Sequence, residues 1–320
     1  PLSNKNPLLA GGEGHNSSNG QNDFDVDTFS STTTASFTVN IAAGSVDTSA
    51  VNDNYLGWNF DWELSTSTSF TGNDSLDVVL NSGVSKLMSE LDMTNTIAGD
   101  PSTDQNVELD SISYTTTLGE RSTFFFGSKN IGGSSLYTVS CAYGSQTDTF
   151  SDCGVSAANL EEEFGTAFGA SFDFGNGFAA AIGYEGQGLT TKGILTDAGS
   201  DAYGGNLSYT GDSYGVSVSW ANIENHSTAA ASGDHTLSDG STQSVGINAY
   251  YTPDLENFPS ISFGLESNHD DNVSTTNNDQ TSHYFLGLQW DDFGDGTFGA
   301  AIGSKEPYAE NADASSMYEV

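Results

Sequence analysis

The sequence predicts an all-β protein whose strands run antiparallel in an up-and-down order. Three observations predict this class. Apolar and polar residues alternate with a period of two, the connections between these stretches are short and long in turn, and helical periodicity is almost absent. Two stretches, 84–93 and 157–163, predict a turn or two of helix and do not change the class.

The composition of the chain excludes several classes of protein. Its 320 residues include 43 Asp and Glu against 6 Lys and Arg, a formal net charge of -37. Nucleic-acid binding needs clustered basic residues to neutralise phosphates, so no nucleic-acid partner is expected. Apolar runs such as 178–182 are far shorter than the roughly 20 residues of a membrane-spanning helix. An aromatic content of 11% argues against a disordered acidic chain.

The strands follow one another along most of the chain. We count about fourteen alternating stretches, with 316–320 beginning another. The clearest alternating stretches are 35–43, 58–64, 168–174, 178–184, 203–209, 214–220, 245–251, 261–265, 284–290 and 298–302.

The connections in the second half of the chain alternate strictly in length. Short ones occur at 175–177, 210–213, 253–259 and 291–297, and long polar ones at 187–200, 223–242, 268–281 and 304–315. A soluble sandwich or propeller has no reason to sort its loops in this way. The pattern is typical of a transmembrane antiparallel up-and-down β-barrel, here of about 16 strands, with short turns on one side and long loops on the other.

The two faces of the strands differ in composition. One face carries small and acidic residues, as in Gly169, Ser171 and Asp173, which suits a water-filled lumen. The other is apolar and ends in aromatic residues, which is typical of girdles at the two lipid–water interfaces. Aromatic residues are also simply common in strands, but here they coincide with the alternation of loop lengths. The predicted girdle residues are Tyr184, Tyr209, Tyr214, Trp220, Tyr251, Tyr284 and Trp290.

Charged residues on the polar face are candidates for lining a pore. An acidic lumen concentrates cations and repels anions, so we expect a preference for cations. The basic residues Lys86, Arg121 and Lys129 would set selectivity if they faced acids at a constriction, and the alternative is ordinary charge pairing at a barrel rim. The acidic candidates are Asp61, Glu63, Asp77, Glu108, Asp110, Asp173, Glu185 and Glu266.

The two cysteines, Cys141 and Cys153, lie in a segment rich in Gly, Ser, Thr and Asp. A disulfide is preferred over free thiols, and it implies an oxidising compartment. The surrounding segment, 127–164, would act as a constriction if it folded into the barrel. An outside loop and one further hairpin are the alternatives.

Nothing in the sequence predicts an enzyme. With 43 acids, a pair of carboxylates occurs at any chosen separation, so a glycosidase-like pair cannot be inferred. Gly-rich phosphate loops, Gly-x-Ser-x-Gly elbows and Cys/His nucleophile arrangements do not occur. No cofactor and no dedicated metal site are expected, although acidic stretches such as 269–272 and 291–296 suit loosely bound Ca²⁺ or Mg²⁺.

Several stretches resemble the barrel region of cyanobacterial outer-membrane porins, which are grouped with the carbohydrate-selective OprB-type porins. The most specific is 68–76, and the others are 7–14, 29–34, 137–144 and 152–154. The resemblance implies a homotrimer of barrels with about sixteen strands in the cell outer membrane. Such barrels pass ions and small nutrients by diffusion, and some members of the family are linked to inorganic ions or iron.

The resemblance also suggests how the chain is organised. Residues 1–34 would be an N-terminal lead-in and 35–320 the barrel domain. Family members usually begin with a surface-layer-homology domain and a coiled coil, which this sequence does not contain. They end on a strand closing at a terminal Phe, whereas this sequence ends in Glu319 and Val320, so we expect the last strands to be missing.

The sequence therefore predicts an outer-membrane porin that allows passive diffusion of ions and small hydrophilic solutes. Its partners would be the lipid bilayer, further copies of the chain and the solutes. One alternative is an acidic β-rich cell-surface structural or adhesion protein. Another is a substrate-specific channel for sugars or iron species, in which aromatic residues of the polar face, Phe285 and Tyr250, would contact the solute.

Overall fold

A computed structural model describes residues 32–44, 57–84, 107–144, 148–160, 165–187, 194–196, 199–225, 240–255, 257–271, 279–293, 296–305 and 315–320. These residues form fourteen strands and two short 3₁₀ turns, Asp148–Gly154 and Ala157–Asn159. The strands are β1 (Thr33–Gly44), β2 (Gly57–Thr68), β3 (Asp74–Val84), β4 (Glu108–Leu118), β5 (Ser122–Lys129), β6 (Thr166–Gly175), β7 (Phe178–Gly186), β8 (Asp201–Thr210), β9 (Tyr214–Asn225), β10 (Gly240–Tyr251), β11 (Ser260–Asp270), β12 (Gln280–Phe293), β13 (Gly296–Lys305) and β14 (Ser315–Glu319).

All fourteen strands belong to one sheet, in which each strand pairs antiparallel with the next in the chain. This confirms the predicted all-β, up-and-down fold. The described residues hold fourteen strands where about sixteen were predicted. The described part of one predicted helical stretch, 157–160, holds a single 3₁₀ turn at Ala157–Asn159. The other lies outside the described residues apart from Val84, the last residue of β3. Within the described ranges, no helix is long and apolar enough to cross a bilayer.

The connections alternate in length along the whole chain, not only in its second half. We call the edge with the short connections the turn side and the opposite edge the loop side. The turn-side connections are 69–73, 119–121, 176–177, 211–213, 252–259 and 294–295. The loop-side connections are 45–56, 85–107, 130–165, 187–200, 226–239, 271–279 and 306–314.

The turn between β2 and β3 shows how local sequence produces these tight connections. Asp74 Oδ1 accepts hydrogen bonds from the backbone N–H groups of Phe70 and Thr71, at 3.0 and 2.8 Å, and from the Ser69 hydroxyl at 2.9 Å. Gly72 has a φ of 86°, a conformation that favours glycine. A short polar side chain and one glycine thus reverse the chain within five residues.

The strand register separates an apolar face from a polar face. On β7, β8 and β9 the apolar face carries Ile182, Leu207 and Val218, whose side chains are 65%, 56% and 42% exposed. Large aliphatic and aromatic side chains are exposed on this face on β1 and on β4 to β14, and the described ones of β2 and β3 are half-buried. A monomeric soluble protein rarely exposes so large an apolar surface, because its contact with water is unfavourable.

Aromatic side chains form two rows on the apolar face. On five strands, one aromatic residue lies in each row and the two are six residues apart, about 20 Å along an extended strand. Neighbouring rings touch within each row, with Phe178 and Tyr209 at 4.8 Å, Tyr209 and Tyr214 at 5.5 Å, and Tyr203 and Trp220 at 5.9 Å between centroids. The five pairs are Phe168 and Phe174, Phe178 and Tyr184, Tyr203 and Tyr209, Tyr214 and Trp220, and Tyr284 and Trp290.

One predicted girdle residue, Tyr184, is not accessible to lipid. Its side chain is only 4% exposed. Its hydroxyl donates to Asp201 Oδ1 at 2.6 Å and accepts from the Leu195 N–H at 3.2 Å, so residue 195 lies against the tip of this side chain. The other six predicted girdle residues lie on the apolar face with half-buried or exposed rings.

Candidate functional site

The polar face is where the structure brings functional side chains together. On β8 to β11 it carries Asn206, Ser217, Asn248 and Ser262, which are 4% exposed or less. Small polar residues on a strand surface are buried so completely only when something covers them. The cover is a segment of the connection between β5 and β6, residues 131–144 and 148–160, which we call the inner segment.

The outgoing part of the inner segment, 131–144, crosses the polar face from β7 to β12. Alternate residues donate their backbone N–H groups to side-chain oxygens of the strands beneath. The pairs are Thr138 with Asn206 Oδ1 (3.2 Å), Ser140 with Ser217 Oγ (2.9 Å), Ala142 with Ser262 Oγ (3.0 Å) and Gly144 with Gln289 Oε1 (2.7 Å). The polar residues of these strands are therefore hydrogen-bond acceptors for one particular segment.

The returning part, 148–160, crosses the same strands in the opposite direction. Asn248 Nδ2 on β10 donates to the Asp152 carbonyl at 2.7 Å. Farther along, Leu160 packs in an apolar cluster with Ala202, Ala221 and Ile223 from β8 and β9. The described part of 127–164 thus runs out and back across the polar face of the sheet, and its position inside a barrel stays a prediction.

Two glycines of the sheet allow the segment to approach this closely. A Cβ atom on Gly183 would lie 1.9 Å from the Gly133 carbonyl oxygen, and one on Gly264 would lie 1.8 Å from the Cys153 carbonyl oxygen. Either distance is far inside van der Waals contact. Any larger residue at these positions would push the inner segment off the sheet.

A disulfide between Cys141 and Cys153 joins the outgoing and returning parts, with the two Cα atoms 5.9 Å apart. This confirms the predicted pairing. We call the described residues from one cysteine to the other, 141–144 and 148–153, the tip of the inner segment. The tip lies against β11 to β14.

Three aromatic rings fasten the tip to the sheet. Phe285 of β12 is fully buried between Tyr143 and Phe150 of the tip, with centroid distances of 5.3 and 5.2 Å and edge-to-face geometry. The Tyr143 hydroxyl donates to Glu319 Oε1 of β14 at 3.0 Å. Burial, and then the bond to Glu319, raise the pKa of Tyr143 well above its usual range, so it remains a donor.

The predicted pore-lining residues Glu185 and Glu266 do not face an open lumen. They lie on the polar face, as predicted, but both are fully buried beneath the inner segment. Glu185 Oε2 accepts the Gly133 N–H at 2.6 Å, and Glu266 Oε2 accepts the Ala158 N–H at 3.0 Å. Alternation identified their face, but it carries no signal for the segment that covers them.

Further polar side chains lie near both buried carboxylates. His283 Nδ1 lies 3.5 Å from Glu266 Oε1, and Asn268 Nδ2 donates to the same oxygen at 3.2 Å. Near Glu185, burial and then the carboxylate charge raise the pKa of Tyr137, so its hydroxyl stays neutral. Hydrogen bonds of this kind stabilise a carboxylate that water does not reach.

The acids of β2 to β4 have a different environment. Glu63 and Asp77 are half-buried, and the Ser65 and Ser75 hydroxyls on their own strands donate to them. Asp110 Oδ1 accepts from two amides of neighbouring segments, at 2.8 and 2.9 Å.

Register and exposure place the other two predicted pore-lining acids of these strands. Asp61 pairs with Gly83 two residues before Glu63, and Glu108, which is exposed, pairs with Asn81. The predicted pore-lining acids Glu63, Asp77, Glu108 and Asp110 are therefore gathered on one part of the polar face. The hydrogen bonds of the inner segment described above go to β7–β12 and β14.

The predicted basic residues do not meet at one place. Arg121 lies on the turn side, exposed, and its Nη1 donates to the Phe174 carbonyl at 3.2 Å, which fits the rim alternative. Lys129 is the last residue of β5, about 26 Å away along the strand. Asp173, on the turn side as well, is exposed and accepts the Gly175 N–H. Lys86 lies outside the described residues.

Among the residues that the structure describes, no three His, Cys, Asp or Glu side chains cluster as metal ligands would. Parts of the two acidic stretches that suit Ca²⁺ or Mg²⁺, 272 and 294–295, lie outside those residues. Loose cation binding there stays a prediction.

Comparison with known proteins gives a structural likeness and no match in sequence. No protein-family model matches the sequence, and no curated protein matches it. The fold is similar to a solved structure described as porin refined at 1.8 Å resolution, with a TM-score of 0.45 and 11% sequence identity over 88% of this chain and 97% of that one. A likeness at this level decides nothing about function, and the resemblance to the cyanobacterial family stays a prediction.

Proposed function

We propose that this chain is an outer-membrane porin through which ions and small hydrophilic solutes diffuse passively, with a preference for cations. The observation that carries the proposal is that the two faces of one sheet differ in character. One face is apolar, exposed and edged by two rows of aromatic rings. The other is polar and holds the inner segment.

A lipid bilayer is the environment that suits the apolar face. Exposed residues such as Leu207 and Val218 lie between the two aromatic rows, as expected for a hydrocarbon layer between two interfaces. The strands that carry both rows have 9 to 14 residues, about the length that a tilted strand needs to cross a bilayer. Within lipid the two edges of the sheet must be paired, so we infer that it closes into a barrel.

The passage would run between the inner segment and the part of the polar face formed by β1 to β5. That wall carries Glu63, Asp77 and Asp110, together with Asp61 and Glu108 in register. Carboxylates along a narrow aqueous path attract cations and repel anions. The net charge of -37 therefore matters for selectivity only through these few acids, whereas Glu185 and Glu266 serve to hold the segment.

The finer expectations rest on the sequence resemblance alone. Membership in the cyanobacterial OprB-type family would add a homotrimer and a role in carbohydrate passage. A sugar-specific channel would use aromatic rings along its lumen, and one of the two candidate rings, Phe285, is fully buried under the tip. A general pore for ions and small solutes is the function that the described residues support best.

The proposal is tested with the purified protein in detergent and in planar bilayers. We expect the protein to need detergent, to migrate differently on a gel before and after heating, and to give a cation-selective reversal potential in a KCl gradient. The selectivity should weaken as salt rises, because screening shortens the reach of the carboxylates. A protein that stays dispersed without detergent and forms no channel would instead be the surface-attached alternative.

A further inference from the structure

We propose that Phe285 is a positioning residue that holds the tip of the inner segment against β12 to β14 and so keeps it out of the passage. The inference rests on the proposed function, because it assigns a part in that function to one wall residue. From the sequence, Phe285 is predicted to be a ring of the polar face that a solute would contact.

The burial of Phe285 decides against contact with a solute. The ring has no exposed surface, and its two ring neighbours, Tyr143 and Phe150, both belong to the tip. The same apolar cluster includes Cys153 and Ala301, with Cys141 packed against it. The disulfide and the three rings therefore form one cluster, of which Phe285 is the ring contributed by the sheet.

The sheet around Phe285 is shaped to receive the two rings of the tip. A Cβ atom on Gly287, the next residue of β12 on this face, would lie 2.6 Å from Phe285 Cζ and 2.8 Å from Tyr143 Cδ2. One on Gly303 of β13 would lie 2.7 Å from Phe150 Cε1. Glycines at these two positions leave a depression in the polar face, and the aromatic rings fill it.

The disulfide and Phe285 restrain the tip in different ways. The bond between Cys141 and Cys153 limits how far the two parts of the segment separate, but it makes no covalent link to the sheet. Phe285 connects the closed loop to β12. Its loss would leave a cavity that the two rings of the tip fill only in part, which favours local opening.

The test compares Phe285→Ala with Leu286→Ala, the next residue of the same strand, which is 44% exposed on the apolar face. Single-channel currents are recorded in planar bilayers. We expect Phe285→Ala to raise the rate of brief closures by about tenfold or more, because a freed loop enters the passage. Leu286→Ala should behave as the unmodified protein, and both variants should keep heat-modifiable migration on a gel.

A second readout does not depend on channel activity. Dithiothreitol reduces the disulfide by thiol exchange, which yields two cysteine thiols and oxidised dithiothreitol. The rate is followed in detergent by thiol labelling. We expect faster reduction in Phe285→Ala than in Leu286→Ala, since Cys153 is buried only while the tip is held. Phe285→Leu keeps an apolar side chain but loses the ring contacts, so its reduction rate should lie between those of the two alanine variants. It replaces Phe285→Ala in the test if that variant does not fold.

The two readouts separate this inference from the proposed function. More closures together with faster reduction support the role of Phe285. Closures and reduction rates equal to those of Leu286→Ala overturn it. If the unmodified protein carries no current, the proposed function fails, and an unchanged reduction rate would then overturn the contact of Phe285 with the tip as well.

Discussion

The carboxylate of Glu185, near the loop-side end of β7, accepts the backbone N–H of Gly133 at 2.6 Å while fully buried. Glu266 on β11 makes the corresponding bond to Ala158 at 3.0 Å. One carboxylate therefore holds the beginning of the inner segment and the other holds its end. Burying a carboxylate is costly in free energy without hydrogen bonds. The bonds from the segment therefore stabilise the two buried acids, and the two acids hold the segment to the sheet.

Removing either anchoring carboxylate should loosen the inner segment. In Glu185→Ala or Glu266→Ala a buried backbone N–H loses its acceptor, which costs about 1–3 kcal/mol. Limited proteolysis in detergent should then cut the segment faster than in the unmodified protein. Glu185→Gln keeps an acceptor oxygen and should resist cleavage better than Glu185→Ala. Glu120→Ala, in an exposed turn, is the control, and equal cleavage in all variants would contradict the anchoring role.

The acids of β2 and β3 should control ion selectivity. Glu63→Gln and Asp77→Asn each remove a charge that the wall of the passage presents to ions, and we expect their reversal potentials in a KCl gradient to move toward the unselective value. Asp254→Asn, which changes an exposed acid on the turn side, should leave the potential unchanged. If it moved the potential as much as Glu63→Gln, the selectivity would come from the overall charge.

Alkaline conditions should weaken the attachment of the tip through Tyr143. Its pKa is raised above the ordinary 10.0, chiefly by burial and then by Glu319. A raised pKa means that the stabilisation is complete below pH 10 and is lost as pH rises through the higher folded-state pKa. Between about pH 9 and about pH 11 the unmodified protein should therefore lose more resistance to urea than Tyr143→Phe, which has no titrating hydroxyl. An equal loss in both proteins would contradict this.

A charged side chain introduced on the apolar face between the aromatic rows should destabilise the protein. Val218 is exposed between Tyr214 and Trp220 on β9, so Val218→Arg should lower the free energy of unfolding in lipid vesicles by about 2–4 kcal/mol. Asp212→Arg, in the adjoining turn, should have a small effect because that position is exposed outside the strands. A similar change in both variants would show that Val218 does not face lipid.

Most of the fold follows from patterns that are local in the sequence. The two-residue alternation around Leu207 or Val218 determines which face of the sheet each side chain joins. Glycine and short polar residues reverse the chain at turns such as 69–73. The disulfide was also predictable, because the two cysteines lie close in sequence and zinc would need more Cys or His nearby. The strand order then follows from short connections that pair each strand with the next.

The candidate site was only partly predictable because its contacts join distant parts of the chain. Alternation placed Glu185, Glu266 and Phe285 on the polar face correctly. What covers that face depends on bonds such as Ala158 to Glu266, 108 residues apart, and no local period encodes such a contact. The burial of Tyr184 has the same origin, because its hydroxyl accepts the Leu195 N–H from a loop whose position has no sequence signal.

The central claim is that the acidic wall of β2 to β4 and the inner segment together bound a water-filled path through a bilayer. The most direct measurement is the single-channel current of the purified protein in a planar bilayer, repeated after Glu63→Gln. We predict discrete conductance steps that carry mainly cations, and a smaller cation preference in the variant. Bilayers that stay silent with the unmodified protein, or steps that carry mainly anions, would contradict the claim.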